Sequence, residues 1–453
     1  MNRLAFTLAD VAALDRFFAA ARPNEAGAFF LVTEASTPNG LRLVARDPYF
    51  PPDTAWTETD RHRLVPSGQL ISQVVSRAVA ANAGLLIVHS HPDSRHPTGF
   101  SWVDDQALDA LSRTLVDLID GPFVAAVVGP KGWVARRYQG DAWESIERIA
   151  AAGRGIRILD PLPDPQAMDA DLDDRQILAL GDLNARLRSL DVAVVGVGGL
   201  GSPLAETLVR LGVRGLTIID PDRLDTQSNL RRVFGAKSSQ LAGHPYKVDV
   251  VAEHCDGIGL PTKIIAIPGD VRREDAFPHA LDADVVFTAT DSQSSRAVIN
   301  AASYAFHLPV IDCGCRISRR EPSGLAGLLS EVRFIAPGLP CLFCRRTLSP
   351  DAIRAEILPA DERRALHKEG YVVGSDAPEP SAGALTVLGA GMMASSLLAY
   401  LSSESETLHG GYLLDALMED IPRAASAERC TDGCLSMRGV GRGFQAPLGL
   451  LPR

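Results

Sequence analysis

One stretch constrains the fold of this chain more than any other: DVAVVGVGGLGS at residues 191–202. DVAVVG reads as a strand, Gly196, Gly198, Gly199 and Gly201 follow it, and SPLAETLVRLG then has the apolar spacing of a helix. A strand that turns into a helix through glycines brings backbone close to a phosphate, which the helix N-terminus favours. Downstream, LTIID at 216–220, DVVFTATD at 284–291 and LPVIDCG at 308–314 alternate with helical stretches. That alternation predicts a Rossmann-like, doubly wound parallel sheet.

The first 155 residues have another texture. β-like runs at 27–32, 41–45, 84–90, 123–129 and 132–138 mix with helices expected at 8–21, 67–81 and 101–119. This order predicts an α/β sandwich. Thr7 is placed to cap the first helix, with Leu8, Val11, Leu14 and Phe17/Phe18 on one face. The Pro- and Asp-rich segment 159–174 reads as a linker. The chain thus divides into a domain over 1–158, the linker, a domain over 175–435 and a loose tail over 436–453.

Several classes are excluded on these grounds. A net charge of −10 without a basic block argues against nucleic acid as partner. No apolar run is read as long enough to span a bilayer, and the N-terminus lacks a signal-peptide pattern, so a cytoplasmic protein without a membrane partner is expected. Seven cysteines in such a chain call for metal binding, catalysis or burial rather than a disulfide framework.

In the first half, GLLIVHS ends in His89-Ser90-His91-Pro92, and Ser101-Trp102-Val103-Asp104 follows. Side chains alternate along a strand, so His89 and His91 point the same way and suit one metal ion. Asp104 follows a loop and can supply the third ligand. Three N/O ligands with an open position describe catalytic rather than structural Zn²⁺. The attacking water needs a general base, and Glu25, at the entrance to the first strand, is best placed. Singly, each has a plainer reading: solvated loop histidines, a helix capping box and a surface charge. His62 and His96 fit no pattern and are read as exposed.

Taken in order, Glu25, His89, His91, Ser101 and Asp104 resemble the JAMM (JAB/MPN) metalloprotease family, whose pattern is an upstream Glu, H-x-H-P and S-x-x-D. The resemblance covers roughly residues 1–155, with a longer loop after His91 that brings in Asp105 beside Asp104 as ligand; the pattern's S-x-x-D spacing from Ser101 favours Asp104. It implies a JAB/MPN-like α/β sandwich in which Glu25 activates the water and Ser101 stabilises the tetrahedral oxyanion. The bond cut would be a peptide or isopeptide bond after the C-terminal glycines of a ubiquitin-like protein.

In the second half, Asp220 ends the strand after the glycines, where a ribose-binding acid belongs; a dehydrogenase would fit equally. The residues that follow distinguish the two. Asp222, Asn229 and Arg232 lie in DPDRLDTQSNLRR, and Lys247 in GHPYK. Arg232 and Lys247 suit the charge of a triphosphate. Asp291 suits Mg²⁺ bridging phosphate oxygens. Hydride transfer has no use for such a set. Taken alone, Asn229 and Asp291 read as helix caps and Arg232 as a solvated charge. As an ordered series they resemble the ThiF/MoeB and ubiquitin-activating-enzyme superfamily from about 172 to 435. Val233 stands in place of the family's Gln, and one extra residue precedes Lys247. The resemblance implies ATP and Mg²⁺ as cofactors. It also implies a homodimer in which Arg175 reaches the partner's triphosphate, with a dimerisation helix at 380–401.

Cys341-Leu-Phe-Cys344 and Cys430-Thr-Asp-Gly-Cys434 form two close pairs, enough for a tetrahedral structural Zn²⁺. The superfamily has a four-cysteine zinc knot at these places. No cysteine falls in 345–429, Cys255 falls in a helix, and Cys313 and Cys315 follow a strand and are expected to pack at the sheet end. Adenylation without a thioester step is therefore expected, with Cys313 or Cys315 as acceptor the lesser alternative. Together the halves are expected to process and activate a ubiquitin-like or sulfur-carrier protein, with a conjugating-enzyme-like protein as further partner. The setting implied is bacterial conjugation, antiviral defence or sulfur transfer. Two alternatives stand beside this: adenylation of a short peptide or small carboxylate, and a NAD-binding regulatory protein with an inactive protease-like module.

Overall fold

The computed structural model describes every residue except 93–97, 116, 162–171, 321–323, 360–361, 363–380, 403–409, 418–428, 447–449 and 453. In the first half the elements are β1 (Arg3–Thr7), α1 (Leu8–Ala21), β2 (Gly27–Thr37), β3 (Gly40–Tyr49), β4 (Trp56–Thr59), β5 (Leu64–Pro66), α2 (Gly68–Ala80), β6 (Gly84–Ser90), α3 (Trp102–Leu115), β7 (Phe123–Gly129), β8 (Gly132–Gln139), β9 (Ala142–Ile146), β10 (Arg148–Ala152) and β11 (Ile156–Ile158). Thr7 caps α1, its hydroxyl oxygen accepting the Asp10 N–H at 3.0 Å. Nine strands form one sheet in the order β11-β10-β1-β3-β2-β6-β7-β8-β9. Along β2, Ala28, Phe30 and Val32 pack with α1, while Phe29 and Leu31 pack with α2 and α3. That alternation is what a strand covered on both faces requires. The sandwich is as expected from the sequence, although β1, β4, β5 and β9–β11 were not among the expected strands.

The second half continues with α4 (Asp174–Leu180), α5 (Asp182–Ser189), β12 (Asp191–Val195), α6 (Gly201–Arg210), β13 (Gly215–Ile219), α7 (Lys247–Asp256), β14 (Lys263–Ile267), α8 (Phe277–Leu281), β15 (Val285–Thr288), α9 (Gln293–Ala305), β16 (Val310–Arg320), β17 (Gly324–Ile335), α10 (Pro350–Ile357), α11 (Gly383–Ser402), β18 (Gly411–Asp415) and α12 (Leu435–Arg438). Its sheet runs β14-β13-β12-β15-β16-β17-β18. The first five strands are parallel, as a doubly wound sheet requires, but β17 and β18 are antiparallel additions that correct the purely parallel expectation.

Two further expectations are corrected. Helix α11 is long and apolar enough to cross a membrane, with a mean hydropathy of 1.7, contrary to the sequence reading. Yet 61% of that window is buried, against α6, β16 and β17, as in the core helix of a packed domain. The tail expected to be loose is packed through residue 446. The Gly441 N–H donates to Tyr304 O at 3.0 Å, Thr33 Oγ1 donates to Gly441 O at 2.9 Å, and the Phe444 ring lies 5.2 Å from that of Phe306. Most of the proposed linker, 162–171, lies outside the described residues. Leu159 belongs to the first domain, its carbonyl accepting the Trp133 N–H at 2.8 Å.

The halves meet through buried polar groups. Arg42, 4% exposed, donates to the carbonyls of Phe306, Leu281, Ala283 and His307 at 2.9–3.2 Å. Arg3 pairs with Asp191 at 2.6 Å, and Arg148 with Asp284 at 3.5 Å. Ala35 and Val44 share an apolar core with Phe277 and Phe306. His307, 1% exposed, sits in this seam with Nδ1 at 3.4 Å from Ala5 O. Burial, with Arg42 nearby, lowers its pKa to about 3.

A pH dependence follows. The folded protein keeps His307 neutral, whereas the unfolded chain takes up a proton below about 6.5. Stability is therefore full above that value and is lost as pH falls towards about 3, by about 2 kcal/mol at pH 5. His307→Asn suits the local backbone, whose φ is +48°. Urea melts at pH 7 and pH 5 are expected to show that this variant loses less stability than the wild type. An equal loss would remove His307 from the acid response.

Candidate functional site

Two clusters of expected residues come together, one in each half. The first sits where β2 begins and β6 ends, with Gly27 paired to His89. Strand alternation turns both imidazoles to one side, with His89 Nε2 and His91 Nε2 3.2 Å apart. Asp104, on the first turn of α3, offers Oδ1 at 3.1 Å to His89 and Oδ2 at 3.3 Å to His91. The three ligand atoms lie within 4.8 Å of one another. This donor set and spacing fit a cation with a position left open for water. Asp105 turns away to Arg136 at 2.7 Å, so of the two carboxylates it is Asp104 that faces the histidines.

Glu25 is held at this cluster by the β4–β5 hairpin. Its N–H donates to Asp60 O at 2.8 Å and its carbonyl accepts from Thr59 Oγ1 at 3.1 Å. Oε1 lies 3.6 Å from His91 Nε2, and burial pushes the carboxyl up to about 7. Ser101 is exposed, and its Oγ accepts the Asp104 N–H at 3.1 Å, so the hydroxyl proton is free to donate elsewhere. His62 is exposed as expected; His96 lies outside the described residues.

The second cluster lines a cavity of about 550 Å³ at the C-terminal ends of β12, β13 and β15. Gly196, Gly198, Gly199, Asp220, Asp222, Asn229, Arg232, Lys247 and Asp291 all border it. Gly201 does not line the cavity but makes the turn possible, because a Cβ there would sit 1.8 Å from Gly196 O. Asp220, 6% exposed, accepts the N–H groups of Val197 and Asp222, both at 2.8 Å, and burial raises its pKa. Lys247 Nζ lies 2.7 Å from Asp222 Oδ2. Arg232 Nη2 donates to Asn229 Oδ1 at 3.3 Å; among the described residues it has no carboxylate partner. Arg175 is exposed on α4 and does not border the cavity of its own chain.

Some bordering residues were not foreseen. Arg272 pairs with both oxygens of Asp270, at 2.9 and 2.8 Å, and Arg296 with both oxygens of the buried Asp312, at 2.8 and 2.6 Å. Glu356, which does not itself line the cavity, accepts the N–H groups of Gln293 and Ser294 at 2.8 and 2.9 Å, closing the N-terminus of α9. Arg272 follows β14, a strand the sequence reading did not place, and nothing in sequence links Glu356 to a helix more than sixty residues away. Of the spare cysteines, Cys255 is buried in α7, and burial pushes it up to about 12. Cys313 is buried, whereas Cys315 is half-buried; both border the cavity.

Cys341, Cys344, Cys430 and Cys434 form a third cluster, with their sulfurs within 4.8 Å of one another. The N–H groups of Cys341, Cys344 and Thr431 point at Cys430, Cys341 and Cys344 sulfurs, at 3.2, 3.4 and 3.5 Å. Four thiols with such donors fit a closed, structural Zn²⁺ site.

Comparison with known proteins places the second half. The chain is 28% identical over 231 residues to the ubiquitin-like modifier-activating enzyme 5 of Aedes aegypti, covering 48% of this chain and 51% of that protein. It is 32% identical over 126 residues to the adenylyltransferase and sulfurtransferase UBA4 of Meyerozyma guilliermondii, covering 28% of this chain and 29% of that protein. The chain thus spans about half the length, or less, of the curated relatives it matches. Among solved structures, E. coli MccB with ATP aligns at a TM-score of 0.45 and 14% identity, over 61% of this chain and 77% of that one. Residues 174–434, more than half of the chain, match the model of the ThiF family, and the chain belongs to that family.

Proposed function

We propose that the second half adenylates the C-terminal carboxylate of a ubiquitin-like or sulfur-carrier protein. The observation that carries this reading is the convergence of Asp220, Arg232, Lys247 and Asp291 with the glycine turn on one cavity. In this reading Asp220 accepts the ribose hydroxyls, and the backbone at Gly196–Gly199 lets the phosphates approach. The substrate carboxylate attacks the α-phosphorus, the bond to the β-phosphate breaks, and pyrophosphate leaves. Arg232 and Lys247 neutralise the charge that develops, and Asp291 is placed to hold a divalent cation. Positioning and charge account for the rate, because the protein forms no covalent bond in this step. Arg232, without a carboxylate partner among the described residues, and Lys247, paired with an exposed Asp222, favour a triphosphate over NAD. The adenylate then passes to an acceptor such as sulfide, an amine or the Cys315 thiol at the cavity wall.

The first half reads as a zinc (iso)peptidase that acts on the same class of tail. A bound Zn²⁺ would acidify a water and polarise the scissile carbonyl. Glu25 takes the proton from the attacking water and returns it to the leaving amine, and the Ser101 hydroxyl donates to the oxyanion. The four cysteines hold a second, structural zinc. Arg175 is assigned to the nucleotide site of a second copy in a homodimer.

Mg·ATP is expected to raise the melting temperature of the whole protein; a shift with NAD instead would overturn the adenylation reading. Gly198→Ala has open space around its new methyl group, so the protein is expected to fold while the shift by ATP shrinks, because the methyl enters the phosphate region. Arg232→Ala is expected to slow pyrophosphate exchange, driven by a ubiquitin-like protein ending in Gly-Gly, by about 10²–10³-fold. A rate within a factor of two of wild type would take Arg232 out of the reaction. Glu25→Gln is expected to retain both zincs and lose cleavage of a ubiquitin-like protein extended beyond Gly-Gly. Unimpaired cleavage by this variant would exclude Glu25 as the base.

A further inference from the structure

Arg136 has no part in either proposed reaction, yet its surroundings are specific. On β8, its guanidinium carbon lies 4.0 Å from the ring centre of Phe100 and 4.4 Å from that of Trp143. Its Nη1 is 2.7 Å from Asp105 Oδ1. Its Nε and Nη2 are buried with no hydrogen-bond partner among the described residues. Two ring faces and one carboxylate are what hold it, and a planar cation is the side chain that satisfies both.

The groups it holds flank the N-terminal metal cluster. Phe100 immediately precedes Ser101, and its ring centre is 6.4 Å from that of His89. Asp105 immediately follows Asp104. One turn further along α3, Trp143 Nε1 donates to Asp109 Oδ1 at 2.7 Å. Residues four apart share a helix face, so the ties at Asp105 and Asp109 together fix the rotation of α3 about its axis. A turn of about 20° would carry a side-chain tip at ~5–6 Å radius by roughly 2 Å. Metal ligation tolerates displacements of about 0.2 Å. Asp104 is already committed to both histidines and to the Ser101 N–H at 2.6 Å, so it has little room to compensate.

We propose that Arg136, clamped between Phe100 and Trp143 and paired with Asp105, is a positioning residue that sets the aim of Asp104 at the N-terminal metal centre. The proposal rests on the reading of His89, His91 and Asp104 as metal ligands. Packing alone would be served by an apolar side chain; holding a ligand in its aim requires that metal affinity respond.

The test uses the full chain, stripped of metal and reloaded with Zn²⁺, with stoichiometry and affinity read by competition against a chelating indicator. The wild type is expected to hold two zincs per chain and His89→Ala one. In Arg136→Met, which keeps the bulk and removes the planar charge, the dissociation constant of the N-terminal zinc is expected to rise 10- to 100-fold. The zinc at the four cysteines serves as internal control and is expected to be unchanged, as is the far-UV dichroism. Arg136→Lys keeps the charge opposite Asp105 without the flat face and is expected to fall in between. Unaltered zinc affinity in Arg136→Met would overturn the positioning role. A wild type with a single zinc would overturn the metal-ligand reading itself, and the positioning role with it. Should Arg136→Met not fold, Asp105→Asn breaks the pair from a half-exposed position, and unchanged affinity there overturns the proposal equally.

Discussion

The Arg42 guanidinium, spread over four carbonyl oxygens of the other half, is the contact on which the arrangement of this protein depends. It is buried, and burial, with Arg3 nearby, lowers its pKa to about 9. An unsatisfied buried acceptor costs about 1–3 kcal/mol, so removing the guanidinium from the closed seam would strand several carbonyls at once. Arg3 and Arg148 add the same logic with carboxylates at the starts of β12 and β15. The first domain therefore docks beneath the N-terminal ends of the parallel strands, while the glycine turn sits at their C-terminal ends. On the other side of the seam, β2 runs from its metal-cluster end at Gly27 to the seam at Thr37, a span of about 33 Å. The two candidate sites consequently open at opposite ends of a fixed body.

How much of this was legible depended on whether the signal was local. The glycine turn, the H-x-H-P string and the two cysteine pairs are short-range patterns, and each lands where the sequence places it. Helix α1 was readable because Thr7 and its apolar stripe sit within one stretch. By contrast, β1 and β10 pair with each other across more than 140 residues, and neither has flanking turn chemistry strong enough to mark it. The tail after Cys434 reads as loose because its glycines and arginines lack periodicity. What orders it is tertiary: Phe444 against Phe306, and Gly441 between Thr33 and Tyr304.

The same division separates the site residues that were found from those that were missed. Asp220 and Asp291 stand just beyond strand ends, where topology alone puts them at the crevice, and Arg232 follows the short helical turn at Gln227–Arg231. Arg296 lies on α9, one turn into a helix that was itself expected, but its place at the cavity depends on Asp312 in the next strand. Asp312 in turn accepts from Thr288 and Arg333, so its position encodes a three-strand arrangement that no linear motif records.

The cations around the cavity differ in how available they are, and this decides what each can do. Arg296 is tied by two bonds to a carboxylate that is itself fully buried, so trading Asp312 for a phosphate would leave that carboxylate uncompensated. Arg272 is similarly engaged by Asp270, though nearer to solvent. Lys247 pairs with an Asp222 that is 63% exposed, and such a pair is worth at most about 1 kcal/mol, so Lys247 can exchange its partner for a phosphate oxygen at little cost. Among the described residues, Arg232 has only the neutral oxygens of Asn229 and Ser228 within reach. In the proposed adenylation, an incoming triphosphate would meet one cation that is already free and one that is easily released, set against two that hold the cavity wall in shape. The charge assigned to the proposed reaction and the charge that keeps the site rigid are carried by different residues.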